Sequence, residues 1–414
     1  MSQKNQLLSY AIINLINASV PFLLLPLLTM YLTPSDYGLL SMIQLLMALM
    51  LPIVLLNTHG LLVIEYSKLS FKDFQKLVST IIWIPIAGFI LLEIIFFMLK
   101  DLIVYYFHIP TQYIFLIPVF VLVQAIPNII FIIYQAKKEL WNFGKYKISL
   151  MLVNLLFSLV FVRMYNYGWE GRLWGIIIPF IIFSFVGIII LIQLNLLIFQ
   201  LDSQFLSNAL SFGIPLIPHS IAGVFLVMSD RLFLVNMLGD GAVGIYSVSF
   251  QVASVISIMM ISINQAWAPN LFERLNNNPT DKDKREIVKQ TYKIMIAMMI
   301  GVSLFLIFVP FVFDLFIDKS YFQAEFLVKY IALAFLFQGF YFLITNYIFF
   351  TKKTYILAYI SFFSIFIISI NNYFLIQYFG IVGAGYAMLY SWIIFFLLTW
   401  FASNKIYPMP WRLS

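Results

Sequence analysis

The chain has 414 residues, of which 63% are hydrophobic and only 10% charged. Soluble domains carry about 25% charged residues, so an ordinary soluble globular protein is excluded: no core of this size hides so much apolar surface. The net charge is +7 and cysteine is absent, which excludes disulfides, thiolate metal sites and cysteine nucleophiles. Basic loops flanking membrane spans account for the positive balance, so nucleic acid is not an implied partner and the lipid bilayer is.

A span needs about 20 mostly apolar residues. The pattern predicts an all-α integral membrane protein with spans over 8–32, 38–62, 78–99, 113–135, 148–166, 173–197, 212–236, 243–267, 291–313, 326–350, 355–378 and 382–403. The stretch after Lys4 is too long for a signal-peptide core and lacks a small-residue cleavage pattern, so it reads as a retained first span. Within it Asn14 and Asn17 share a helix face, and Pro21 and Pro26 are expected to interrupt the helix. Broken helices are where transporters expose backbone to substrate, so both asparagines are candidates to face it. Amides equally join helices to one another.

Span three holds Glu93, with Lys100 further along the same face. The two read either as a snorkelling pair at the outer boundary or as a carboxylate for a coupling proton or sodium ion. Arg163, near the outer end of span five, is an interfacial anchor or a substrate-facing cation. Span seven carries the densest polar set. Asp230 and Arg231 lie inside it, and a charge within a span is a functional candidate by default. Arg231 offers a planar donor fork for pyrophosphate or an acidic sugar; alternatively it pairs with Asp230 and locks packing. His219 lies about three helical turns before Asp230, within about 20° of one face, near Pro215 and Pro218. It is either a neutral histidine satisfied by a carbonyl or a titrating group that couples transport to protons.

Asn264 and Gln265 close span eight and are expected to bond across helices, and Asn154, Asn371 and Asn372 carry the same ambiguity. The longest polar segment, 268–290, is expected to form a small surface helix over Thr280 to Glu286, capped by Thr280. Of the aromatic side chains near span ends, Tyr37, Trp141, Trp169 and Trp267 read as interface anchors.

Assigning loops alternately places 18 basic residues on one side and 5 on the other, with Arg231 inside a span. The positive-inside rule then puts both termini in the cytoplasm. The segment 198–211 has no Lys or Arg, so the second half is oriented by its own later loops.

The segment Leu32 to Ser41 (LTPSDYGLLS) follows span one, and Leu238 to Ser247 (LGDGAVGIYS) follows span seven, with Leu, Gly and Ser matching at an offset of 206. That offset is within one residue of half the 414-residue chain and equals six spans. The expected organisation is two parallel six-helix bundles, residues 1–200 and 201–414, around a central cavity, an architecture suited to alternating access.

The runs PFLLLPLLTMYLTPSDYGLLS (Pro21 to Ser41) and LSFGIPLIPHSIAGVFLVMSDRLFLV (Leu210 to Val235), with Gly239 to Ser247 and Gln265-Ala266-Trp267-Ala268-Pro269, resemble Wzx-type polysaccharide repeat-unit flippases of the multidrug/oligosaccharidyl-lipid/polysaccharide (MOP) exporter superfamily. The resemblance covers the whole chain. It implies a flippase that moves undecaprenyl-pyrophosphate-linked oligosaccharide, an O-antigen (lipopolysaccharide) or capsule unit, from the cytoplasmic to the periplasmic leaflet of a bacterial inner membrane. Polysaccharide polymerase and assembly proteins are its implied partners. No cofactor is implied, and sodium or proton coupling is open. The uncharged 198–211 join departs from relatives, which carry basic residues there.

Two other function classes compete. A cation-coupled multidrug exporter of the same superfamily shares the span count. A membrane polymerase, ligase or acyltransferase needs an aqueous catalytic constellation. The outer loops are short, and His59, His108 and His219 lie on different hairpins with no paired acid, so the enzyme class is disfavoured. No phosphate-binding glycine loop or metal-ligand spacing is present.

Overall fold

The computed structural model describes residues 21–198, 200–353 and 355–412. Asn14 and Asn17 therefore lie outside the described residues. The chain divides into two compact units, Met1–Met228 and Ser229–Ser414. The division falls inside one helix, whereas the boundary expected at residue 200 lies before it.

In the first unit α1 (Pro21–Tyr31) leads to α2 (Pro34–Leu55), α3 (His59–Tyr66) and the 37-residue α4 (Phe71–Phe107). The short helices α5 (Thr111–Ile114), α6 (Leu116–Leu122) and α7 (Ala125–Ala136) together form one apolar crossing. α8 (Leu140–Leu159) ends in a π turn over Val160–Met164, followed by α9 (Gly168–Gln193). α10 (Ser203–Gly213) joins α11 (Ile217–Leu238) through a 3-10 turn over Ile214–Leu216. Here Pro215 lies in the expected break, since proline removes a backbone donor and clashes with the preceding turn.

The second unit contains the end of α11, α12 (Asp240–Asn276), α13 (Asp281–Phe316), α14 (Gln323–Phe350), α15 (Tyr355–Phe379) and α16 (Ile381–Ile406). Eleven helical segments among the described residues are long and apolar enough to cross a membrane, and α1 is a shorter apolar helix. The protein is thus an all-α multi-pass membrane protein, as the sequence predicts. In lipid only intrahelical bonding satisfies every backbone group without a closed barrel.

The first unit packs α2 against α4 and α6, α3 against α7, and α8 against α9. Its core is built from side chains such as Leu62, Val78, Ile129, Phe143 and Leu191. In the second unit α14 is central and packs on α12, α13 and α16. Its hydrophobicity is accordingly distributed all round the helix, as burial on every side requires.

Several expectations need correction. Residues 280–286 are not a separate surface helix but the opening turns of the 36-residue α13. Likewise α12 runs 37 residues, to Asn276. Hydropathy marks only the part in lipid, whereas helical hydrogen bonding continues into the polar ends. Pro26 does not interrupt α1, which runs through it, with Thr29 Oγ1 donating back to the carbonyl of Leu25 at 3.0 Å. Tyr37 and Trp267 are buried in their units rather than placed as interface anchors, while Trp141 is 74% exposed. Trp169 stacks edge-on with Tyr113.

The expected cap at Thr280 is present. Its hydroxyl accepts from the Asp283 backbone N–H at 3.3 Å, and the Asp283 carboxylate accepts from the Thr280 N–H at 2.9 Å. Thr280→Ala will lower stability by about 1 kcal/mol, read as a small drop in melting temperature of the purified protein; an unchanged value would mean that the cap contributes nothing.

Candidate functional site

The candidate site is assembled in the second unit from α11, α12 and α16. Gly239, at φ 86, separates α11 from α12, a backbone conformation that glycine adopts without strain. The reversal brings Asp230 and Arg231 on α11 alongside Tyr246 and Phe250 on α12. Asp230 and Arg231 are only 3% and 4% exposed.

The Asp230 carboxylate is fully engaged. Its Oδ1 accepts from the Arg231 backbone N–H at 2.8 Å and from Arg231 Nη1 at 3.1 Å. Its Oδ2 accepts from the Tyr246 hydroxyl, which also lies 3.5 Å from Met388 Sδ on α16. The Arg231 guanidinium is 4.5 Å from the centre of the Phe250 ring, in cation–π range. Its Nε is buried with no hydrogen-bond partner. The arrangement is a neutral ion pair in which both carboxylate oxygens accept hydrogen bonds and the Arg231 Nε–H donates none. Such a node ties together the packing of three helices.

The other predicted residues among those described belong to the first unit. His219 is exposed on α11. Arg163 is exposed in the π turn that ends α8. Glu93 is partly buried in α4, and no ion pair joins it to Lys100 among the described residues.

Two polar groups escaped the sequence reading. One is Tyr246, the cross-helix partner of Asp230. It lies in the Gly239 to Ser247 run that carries the resemblance, but nothing local pairs it with Asp230. The other is Arg172, which the predicted spans leave in the connection just before 173–197. It lies within α9, and its Nη1 donates to Asn154 Oδ1 at 2.8 Å and to Ser158 Oγ at 2.5 Å on α8. Gly175 permits this approach, because a Cβ there would fall 2.7 Å from Ser158 Cα. Its proximity to the span boundary made Arg172 look like a loop residue.

Amides do join helices as expected. Asn346 Nδ2 donates to Asn264 Oδ1 at 2.9 Å, and Asn371 Nδ2 donates to Ser391 Oγ at 3.0 Å. Asn372 is fully buried, with both side-chain atoms unbonded. Among the described residues no group of three or more His, Asp or Glu could hold a metal ion.

The family model described as polysaccharide biosynthesis protein matches residues 4–275, and the MatE model matches residues 215–375. An Lsg locus protein of Haemophilus influenzae is 25% identical over 289 residues, 69% of this chain and 68% of that protein. An uncharacterized membrane protein of the same organism is 24% identical over 81% of each chain.

Among solved structures, an inward-facing multidrug resistance MATE family transporter of the MOP superfamily superposes with a TM-score of 0.76 at 11% identity, covering 98% of this chain and 100% of that one. The lipid II flippase MurJ, in an inward closed conformation, gives 0.69 at 15% identity over 97% of this chain and 88% of that one. These likenesses show the fold. The two solved structures are those of a transporter and of a flippase. With a family match over residues 4–275, well over half of its length, the chain belongs to the polysaccharide biosynthesis protein family.

Proposed function

We propose that this protein is a flippase that carries an undecaprenyl-pyrophosphate-linked oligosaccharide, an O-antigen or capsule unit, from the cytoplasmic to the periplasmic leaflet of a bacterial inner membrane by alternating access. The observation that carries the reading is the polysaccharide biosynthesis family match over residues 4–275. The physical task fits a polytopic helical protein: a glycan and a pyrophosphate cannot enter hydrocarbon without a large desolvation cost. Arg231, with donors left after pairing Asp230, is the cation proposed to meet the pyrophosphate. His219, Arg163, Asn14 and Asn17 are the further cargo-facing candidates. If transport is ion-coupled, Asp230 and Glu93 are the carboxylates proposed to bind sodium or a proton. Polysaccharide polymerase and assembly proteins are the proposed downstream partners.

Removing the protein from its own host will cause undecaprenyl-pyrophosphate repeat units to accumulate on the cytoplasmic face while surface polysaccharide disappears. Unchanged polysaccharide with raised sensitivity to cationic drugs would instead establish a second reading, a cation-coupled multidrug exporter. The MatE match over residues 215–375 favours that alternative. Both termini are proposed to be cytoplasmic, on the 18-to-5 distribution of basic residues. A C-terminal reporter will therefore be active only when its activity requires the cytoplasm, and periplasmic activity would reverse the topology.

A further inference from the structure

In the second unit α14 and α16 begin side by side, and α15 ends there. Gly380, at φ 59, turns α15 into α16. Two further glycines set how closely the helices approach. A Cβ on Gly383 would overlap the Leu375 carbonyl oxygen, and one on Gly385 would fall 3.2 Å from Tyr330 Cβ. Small residues let helix backbones meet closely in a membrane. The approach seats Tyr386 of α16 against Tyr330 of α14. Their ring centres are 4.7 Å apart and their hydroxyl oxygens 3.4 Å apart.

Three more rings surround this pair. Phe326 lies edge-on to Tyr330 at 5.5 Å, Phe379 lies edge-on to Tyr386 at 5.5 Å, and Tyr390 stacks along Tyr386 at 6.1 Å. Phe326, Phe379 and Tyr390 are each about half exposed. Lys329 stands among them, its Nζ 3.6 Å from the centre of Phe326 and 4.7 Å from that of Tyr330. Glu325 lies one helical turn before it. No ion pair joins Lys329 to that or any other carboxylate among the described residues. An interfacial anchor presents one amphipathic ring with its hydroxyl in water. Here five rings from three helices converge, two hydroxyls face each other, and an ammonium lies over the rings.

This set matches a sugar that carries an acidic group. A pyranose presents a face of C–H groups with partial positive charge, which lies favourably on the negative face of an aromatic ring. Tyrosine hydroxyls both donate and accept, as sugar hydroxyls do. A lysine ammonium is a point charge rather than a fork, which fits one carboxylate on a ring. We propose that Phe326, Lys329, Tyr330, Tyr386 and Tyr390 form a binding subsite for a carboxylate-bearing sugar of the glycan cargo. The subsite rests on the flippase reading above and lies wholly within the second unit. With the C-terminus in the cytoplasm, as that reading has it, α16 begins at the periplasmic end, where the glycan arrives.

The test places the purified full-length protein in phosphatidylcholine nanodiscs and measures glucuronate and glucose binding by saturation-transfer NMR. The wild type will bind glucuronate more tightly than glucose. Lys329→Gln will weaken glucuronate binding by about tenfold, the scale of one charge-assisted contact, and will leave glucose binding unchanged. Tyr330→Phe/Tyr386→Phe keeps the rings and will weaken binding of both sugars. Should Lys329→Gln melt below the wild type, Lys329→Met, which keeps an apolar stem beside Phe326, gives the same reading. Equal binding of the two sugars by the wild type, or equal glucuronate binding by the wild type and Lys329→Gln, overturns the proposal. Displacement of glucuronate by phosphatidylglycerol in the nanodisc overturns it in favour of a headgroup site. Surface polysaccharide in the host is scored separately. If removing the protein leaves it unchanged, the flippase reading fails; if polysaccharide is lost but the wild type shows no glucuronate preference, this subsite alone fails.

Discussion

Arg231→Ala will abolish surface-polysaccharide assembly and also destabilise the protein. In the wild type the guanidinium neutralises Asp230 in a site that is nearly closed to solvent. Its removal leaves a buried carboxylate with only the Tyr246 hydroxyl and one backbone N–H. Removing one partner of a buried ion pair costs about 3–5 kcal/mol, a large share of a typical folding free energy. Loss of assembly in this variant would therefore conflate folding with transport. The pair Asp230→Asn/Arg231→Met separates them, because it removes both charges at similar volume and avoids the uncompensated carboxylate. This double variant will insert and melt close to the wild type, yet will not restore surface polysaccharide to a strain lacking the protein. Full restoration would mean that the pair serves packing alone and that no cargo-binding cation resides at Arg231. Arg231→Lys will give an intermediate result, since it keeps the charge but loses the planar fork.

Gly213→Ala will be among the most damaging single substitutions in the first unit. Gly213 ends α10 beside the 3-10 turn at Ile214–Leu216, and a Cβ there would fall 1.9 Å from the Leu56 carbonyl oxygen. That atom is backbone and cannot rotate away. Leu56 itself holds a left-handed conformation at the end of α2, φ 44, so the clash acts on a turn with little freedom. Overpacking of this kind costs about 1–3 kcal/mol and occasionally more. Gly223 in α11 is the matched control: nothing lies within 4 Å of its would-be Cβ. Gly223→Ala will be neutral or stabilising by up to about 1 kcal/mol, since alanine favours a helix interior over glycine. Thermal melting of both purified variants checks the contrast. Equal melting of Gly213→Ala and the wild type would show that α10 does not approach the end of α2 as described.

The membrane class, the approximate positions of the spans and the cap at Thr280 were legible because each depends on neighbours in sequence. Apolar run length states how much chain can lie in lipid, and a cap joins residues three apart. The Gly239 turn was legible for the same reason, in a short run of small and polar residues between two apolar stretches. Errors clustered where local polarity was read as location. The 280–286 segment is charged, yet it belongs to α13, because helical bonding does not stop at the edge of the hydrocarbon.

The candidate site was half legible. Asp230 and Arg231 stood out because charge within a span is expensive. Their partners Tyr246, Phe250 and Met388 did not, because those contacts cross helices. Arg172 turns to Asn154 and Ser158 on another helix in the same way, and the Tyr292 hydroxyl on α13 donates to the carbonyl of Trp411, which follows α16. In a soluble helix a polar face marks the outside, but helices that are apolar on nearly every side carry no such label. The sequence by itself therefore determined that this protein is a bundle of membrane helices and where its costly charges lie along the chain. Only the tertiary structure decided which helix faces meet, and hence that Asp230 and Arg231 pair with each other and with Tyr246 in a buried node.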